Sequence, residues 1–496
     1  MSSIRLTYSG LISFLVLMIS IVTGMIFTLI VTRRLDQTDF ALWSLIGGIV
    51  AYSLVFGPVS KYWVSRHIAR GEKEAGTGII SSLFFSAGGI VIYLIAIFFI
   101  SKTSDSNYDI LFLAIFLIPF SYLLSSFTAI SGSHKPQGNA FAMLISEGTK
   151  IPVGFVLVYV ADLGIAGAIA TSIAANSAMI IFYVIYLREK LTNSFHKYTF
   201  KNWIKLSWIP IIAGLHDRLI HLDTTVFTVI TGSVLGVSYI GIARVIGNLV
   251  SNASSISVGL SPKLLATEKS EHIQVMLGRT LLFAIPMLGF VIVFAKSGLW
   301  ILNPIYVEGV LIVHLWATIH FIYVIYGIFY SGLMGLERVD VGFNAKLKSY
   351  VKSRLFTVPL VYLIGYSSYI ITLMLLFWQA TENYYQILDT IAIWGLVGII
   401  VNIGILISFW IMINKTITIK IPIQKIIKYT VFTLISSVIT FSIMSEYLEY
   451  HESVYDFIPA LIPYLLIYIC MYFGILYTSD KETRDLFNQI IKEIKK

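Results

Sequence analysis

Charge is scarce in this sequence. Only 12% of the 496 residues are Asp, Glu, Lys or Arg, against 57% hydrophobic, and a water-soluble globule cannot hide that much apolar surface. Cysteine is nearly absent too: Cys470 stands alone, which excludes an internal disulfide and a cysteine metal cluster. There is no His-Glu-x-x-His helix, no Gly-x-Ser-x-Gly turn and no Gly-Lys phosphate cradle in the basic connections, so zinc hydrolysis, serine hydrolysis and ATP-driven pumping lack their usual residues. No catalytic activity, metal or cofactor is expected. The connections on one side of the apolar runs are short throughout, leaving no room there for a glycosyltransferase or ligase domain.

What fills the chain is apolar runs of the length that crosses a bilayer, about 20 residues each. They predict fourteen transmembrane helices: 8–31, 40–59, 78–100, 110–131, 140–160, 163–187, 209–231, 237–260, 280–302, 310–333, 355–378, 387–413, 429–445 and 457–477. The first run follows a weakly basic start containing only Arg5 and is longer than a signal peptide's apolar core, so it is read as a retained helix. A net charge of +9 would suit nucleic acid, yet the basic residues follow topology instead. Alternate connections, taken with both termini, hold 28 of the 35 Lys and Arg, and that side is cytoplasmic by the positive-inside rule. The expected protein is an all-α, multi-pass protein of the cell membrane, with both termini cytoplasmic and no nucleic-acid partner.

Charged groups inside predicted helices are costly, at roughly 2.5 to 3.5 kcal/mol each on the insertion scale, and therefore point to a cavity or to pairing. The densest case is His216-Asp217-Arg218-Leu219-Ile220-His221-Leu222-Asp223 in the seventh helix. On a continuous helix these side chains spread around the axis, with only His216 and Asp223 nearly aligned, so one salt bridge cannot serve them all. They either line a cavity or neutralise groups on neighbouring helices. Arg244, in the eighth helix, lies about as far beyond the Gly232–Gly236 turn as Asp223 lies before it. The two are expected to pair, as a fixed bridge or as a switch that an anion opens. Glu147 and Lys150 in the fifth helix are spaced to pair on one face. In the tenth helix His314, His320, Tyr323, Tyr326 and Tyr330 form either a ladder for stacking sugars or ordinary packing. Arg33 and Arg34, on the basic-poor side, either snorkel to headgroups or catch an anionic one.

The outer turn Arg34-Leu35-Asp36-Gln37-Thr38-Asp39-Phe40-Ala41-Leu42-Trp43 has a counterpart in Val234-Leu235-Gly236-Val237-Ser238-Tyr239-Ile240-Gly241-Ile242-Ala243 about 200 residues on, suggesting two related six-helix lobes. Together with Val64-Ser65-Arg66-His67-Ile68-Ala69-Arg70, Ser261-Pro262-Lys263 and Leu302-Asn303-Pro304-Ile305-Tyr306, these stretches resemble the polysaccharide-unit flippases of the multidrug/oligosaccharidyl-lipid/polysaccharide exporter superfamily. Asp36 and Ala41 stand where that family's pattern has glycine. The resemblance spans most of residues 1–350. It implies lobes at 1–190 and 191–413 around a central cavity, a C-terminal helix pair and tail at 414–496, and alternating access that moves a lipid-linked, diphosphate-bearing glycan. It also implies a protein that works as a monomer, alongside glycan-assembly enzymes, on a proton or sodium gradient. Arg218, Arg244 and Lys150 would attract the diphosphate, and Asp223, Asp217 or Glu147 would reset the site, with His216 and His221 in the cavity wall. The competing expectation is a cation-coupled exporter of small molecules with the same architecture.

Overall fold

The structure, a computed structural model, describes residues 23–24, 26–69, 72–101, 108–135, 137–191, 195–257, 260, 264, 271–337, 339, 351–383, 385–417, 419, 421–480 and 483–484. For Ala69, Ser101, Tyr108, Asp109, Ile209, Ala213, His216, Asp217 and Ser255 it describes the backbone alone. Most of the predicted first helix, Arg70, the Ser261-Pro262-Lys263 turn and the end of the tail lie outside the described residues. Every regular element among the described residues is helical. Among the described residues ten helices are long and apolar enough to cross a membrane, or eleven if one bent pair is counted as a span. The protein is a multi-pass membrane protein.

Two compact units divide the chain, one of residues 1–241 with 362–390, the other of 242–361 with 391–496. Before residue 241 run α1 (Gln37–Ser53), α2 (Gly57–Ala69), α3 (Ala75–Ser101), α4 (Tyr108–Leu113), α5 (Leu117–His134), α6 (Gln137–Gly154), α7 (Gly164–Tyr186), α8 (Arg188–Leu191), α9 (Lys197–Lys205), α10 (Trp208–Leu219) and α11 (Leu222–Thr231). Then follow α12 (Leu235–Ser251), α13 (Glu271–Leu302), α14 (Val310–Gly335), α15 (Arg354–Glu382), α16 (Ile387–Asn414), α17 (Ile423–Tyr447) and α18 (Val454–Ser479). The unit boundaries fall inside α12, α15 and α16.

Three predicted helices are reshaped. The second does not stop at Val59: after a 53° bend it continues as α2. Charged residues end the apolar window there without ending the helix, because α2 is amphipathic, with Lys61 exposed and Val64 fully buried. Pro58 has no N–H to return to the Leu54 carbonyl, which accepts from Gly57 N at 2.9 Å instead, and the axis turns at that point. The seventh breaks after Leu219 into α10 and α11, so a rotation of 100° per residue cannot be carried across His221. The eighth is regular only to Ser251, after which Asn252–Ser257 tightens into a 3₁₀ turn. Ser251 and Ser257 hydroxyls there bond carbonyls three residues back, a local alternative to the helical ladder.

In the second unit the C-terminal helices are stitched to α13 by a proline. Pro286 lacks the N–H that would have reached the Leu282 carbonyl. Tyr472 of α18 donates its hydroxyl to that oxygen at 2.8 Å, and Tyr468 donates to the Pro286 carbonyl at 2.7 Å. Gly289, one turn on, lets α17 and α18 approach: a Cβ there would sit 2.4 Å from Thr433 and 2.7 Å from the Tyr468 hydroxyl. Phe294, Phe457, Leu461 and Tyr468 close the packing. Tyr472→Phe should therefore destabilise the protein by about 1 to 3 kcal/mol, the cost of a buried carbonyl left without a donor. Pro286→Ala, which restores the helical bond to Leu282, should remove most of that cost. Thermal midpoints of the two single variants and the double variant check this; a Tyr472→Phe effect unchanged by Pro286→Ala would refute it.

Candidate functional site

The first unit places two broken helices against each other. At the α1–α2 bend the freed backbone groups are met by side chains: Arg218 of α10 donates from Nη1 to the Ala51 carbonyl at 3.2 Å. Tyr122 of α5 donates to the Ser53 carbonyl at 3.0 Å and accepts from Phe56 N at 3.3 Å. A cation at the last carbonyls of α1 is favoured by the helix dipole as well as by the hydrogen bond. Gly48 allows the approach, since a Cβ there would lie 2.7 Å from the Thr224 hydroxyl and 3.5 Å from the His221 carbonyl. Tyr52 and Thr225 share a hydrogen bond at 3.2 Å across the same contact.

On the other side, the α10–α11 break is a tight turn in which His221 N bonds the Arg218 carbonyl at 3.2 Å and the Thr224 hydroxyl bonds the His221 carbonyl at 3.3 Å. Asp223 opens α11. Its carboxylate is fully buried, accepts from Thr224 N at 2.8 Å through Oδ1, and accepts the Tyr369 hydroxyl of α15 at 3.0 Å through Oδ2. A short polar side chain at the first turn of a helix satisfies amide groups that have no helical partner. Polar residues thus hold the break open from both ends.

Of the eight candidate cavity residues, the structure brings Arg218, His221 and Asp223 together at this paired break, and the side chains of His216 and Asp217 lie outside the description. Glu147 and Lys150 are on α6 but do not pair. The Lys150 ammonium lies over the buried Phe27 ring at 4.7 Å, while Oε2 of Glu147 is buried and receives no hydrogen bond from the described residues. The aromatic face draws the cation away from its helical neighbour. Arg34 pairs with Asp162 at 3.1 Å and stacks over Tyr159 at 5.3 Å, at the α6–α7 turn where Asp162 and Gly164 take positive φ. Arg33 precedes it in the same helical segment.

In the second unit, Arg244 of α12 lies within electrostatic range of His320 on α14. Gly247 brings the two helices close, with a virtual Cβ 3.3 Å from His320 Cδ2. The pairing of Arg244 with Asp223 remains an expectation. His314 is held by the Ile292 carbonyl at 3.1 Å. Tyr326 is fully buried and donates to Asn402 at 3.0 Å, which in turn donates to the Gly398 carbonyl at 2.7 Å. That ring is packing between α14 and α16, joined by Tyr330 against Phe409. Tyr323 is 44% exposed and stacks edge-on against Tyr326. The residues that sequence reasoning missed are Tyr369, Tyr122, Tyr52 and Thr225. Among the described residues no group of three or more His, Cys, Asp or Glu could hold a metal ion.

No family model matches the sequence, and no curated protein matches it. Its fold is shared with solved transporters. The inward closed conformation of the lipid II flippase MurJ superposes with a TM-score of 0.68 at 15% identity, covering 96% of this chain and 100% of the flippase. An inward-facing multidrug resistance MATE family transporter of the MOP superfamily gives 0.58 at 14% identity, covering 82% and 98%. The Vibrio cholerae MATE transporter VcmN gives 0.54 at 14% identity, covering 84% and 97%.

Proposed function

We propose that this chain is a flippase of the polysaccharide-unit type within the MOP superfamily, translocating a lipid-linked oligosaccharide or polysaccharide repeat unit across the cell membrane by alternating access. The observation that carries the reading is coverage. The fold match to a lipid II flippase takes in 96% of this chain, whereas the matches to the two MATE transporters take in 82% and 84%. The ten spans, the bent α1–α2 pair, the broken α10–α11 pair, α12 and the apolar first run make up a fourteen-helix count. With that count the basic connections and both termini fall on the cytoplasmic side.

In this reading residues 1–190 and 191–413 move as lobes and 414–496 add the C-terminal pair. Arg218, Arg244 and Lys150 attract the diphosphate, because an anion in a low-dielectric cavity needs positive charge beside it. Glu147, Asp217 and Asp223 are the carboxylates available to reset the site, with a proton or sodium gradient as the energy source. The protein works as a monomer beside glycan-assembly enzymes.

The second reading, a cation-coupled exporter of small molecules, is favoured by the MATE likenesses. Vesicles reconstituted with the purified protein separate the two. A flippase exposes a polyprenyl-diphosphate oligosaccharide headgroup to an external glycan-modifying enzyme and leaves small cationic dyes where they are. Dye movement without headgroup exposure would instead establish the exporter.

A further inference from the structure

Between α7 and α10 lies a helix with a face that nothing above uses. Helix α9, Lys197–Lys205, is too short to cross a membrane and is strongly two-sided. Its inner face is tied down within the first unit. Trp203 is 2% exposed and donates its indole N–H to His67 at 3.3 Å. His196 and Thr199 both bond Oε1 of the buried Glu74 at 3.0 Å. Phe200 meets Phe84 of α3 edge-on at 5.4 Å. Because the inner face is anchored at four places, the helix cannot roll, and its outer face has a fixed direction.

That outer face is basic with an apolar border. At 100° per residue, Lys197, Lys201 and Lys205 fall at about 0°, 40° and 80°, with Ile204 at about −20° and Tyr198 at about 100°. All five are exposed, Tyr198 at 79%. The carboxylates around α9 are already engaged by other side chains: Glu74 by His196, Glu72 by His67, and Glu189, the nearest acidic residue in sequence, by Lys135 at 4.0 Å. A second observation sets the depth. Phe84, against which α9 packs, is 55% exposed and continues an exposed apolar strip on α3 with Ile80 and Leu83. An apolar surface of that kind on a membrane-spanning helix is covered by acyl chains, and it begins where α9 docks.

We infer that α9 is a lipid-binding foot for the anionic leaflet: its lysines hold phosphate-bearing headgroups while Tyr198 and Ile204 sit at the acyl boundary. A basic stripe bordered by an aromatic and an aliphatic residue is the surface an anionic interface attracts. The location on the cytoplasmic leaflet rests on the topology proposed above; the preference for negative headgroups does not.

The test uses the full-length protein in nanodiscs of phosphatidylcholine and phosphatidylglycerol. It carries a bimane label introduced by Tyr198→Cys in a Cys470→Ser background. Nitroxide-bearing phosphatidylglycerol should quench the label several-fold better than nitroxide-bearing phosphatidylcholine at equal mole fraction, since one lysine at an anionic surface is worth about fivefold in local enrichment. The preference should disappear in Lys197→Gln/Lys201→Gln/Lys205→Gln, persist when the same three become Arg, and shrink at high salt. No quenching by either lipid, equal quenching by both, or a preference that survives the triple Gln variant overturns the inference. The outcome is independent of whether the protein flips a glycan, because no transport is measured.

Discussion

Replacing Asp223 with alanine is expected to lower the thermal midpoint of the purified protein more than any other single substitution in the first unit, by the equivalent of about 3 kcal/mol. The carboxylate is fully buried, and its two oxygens receive the Thr224 amide and the Tyr369 hydroxyl. Truncation strands both donors. Tyr369→Phe leaves one carboxylate oxygen short of a donor and should cost less, about 1 to 2 kcal/mol. Asp223→Asn, which keeps an oxygen acceptor, should fall between wild type and alanine. The two side chains are 146 positions apart in sequence and join α11 to α15. A double-mutant cycle should therefore return a coupling of at least about 1 kcal/mol. Additive effects of Asp223→Ala and Tyr369→Phe would mean that the bond contributes nothing.

Ten spans among the described residues were legible, because the length of an apolar run is a one-dimensional property that survives any packing. The breaks were not. In the seventh helix the polar cluster was read on a continuous cylinder. The structure instead spends Asp223 on an amide, Thr224 on a carbonyl and Arg218 on the end of another helix. Those are contacts across the chain that periodicity does not encode. A signal for Tyr369 was present nonetheless. Tyr362, Tyr366 and Tyr369 follow the i, i+4, i+7 spacing of one helical face, and all three are 5% exposed or less. In a sequence with 29 tyrosines that spacing was hard to distinguish from abundance. Abundance also explains the opposite error, in which Tyr326 was weighed as a sugar platform although its hydroxyl has a partner in Asn402. The fifth-helix pair failed for a related reason: spacing brings Glu147 and Lys150 within reach but cannot say that Phe27 will offer the ammonium an aromatic face.

Neutralising both Arg218 and Arg244 is expected to abolish headgroup translocation, with each single Gln variant slowing it about tenfold or more, the value of a charge-assisted contact to phosphate. Arg218 complicates the measurement because it also holds the Ala51 carbonyl at the α1–α2 bend. Losing it should lower the thermal midpoint as well as transport. Arg218→Lys separates the two roles. A lysine keeps the positive charge for an anionic substrate but lacks the planar fork that serves the carbonyl and a phosphate at once. It should therefore recover much of the translocation rate while leaving part of the stability loss. Arg244 gives a second readout, with His320 as one charge neighbour. Arg244→Gln should slow translocation without a comparable change in midpoint. Should transport fall only in proportion to the midpoint across Arg218→Gln, Arg218→Lys and Arg244→Gln, the arginines are architectural, and the diphosphate must be bound elsewhere. Equal loss for Arg218→Lys and Arg218→Gln, with the midpoint preserved in both, would instead make the guanidinium fork itself the element that grips the substrate.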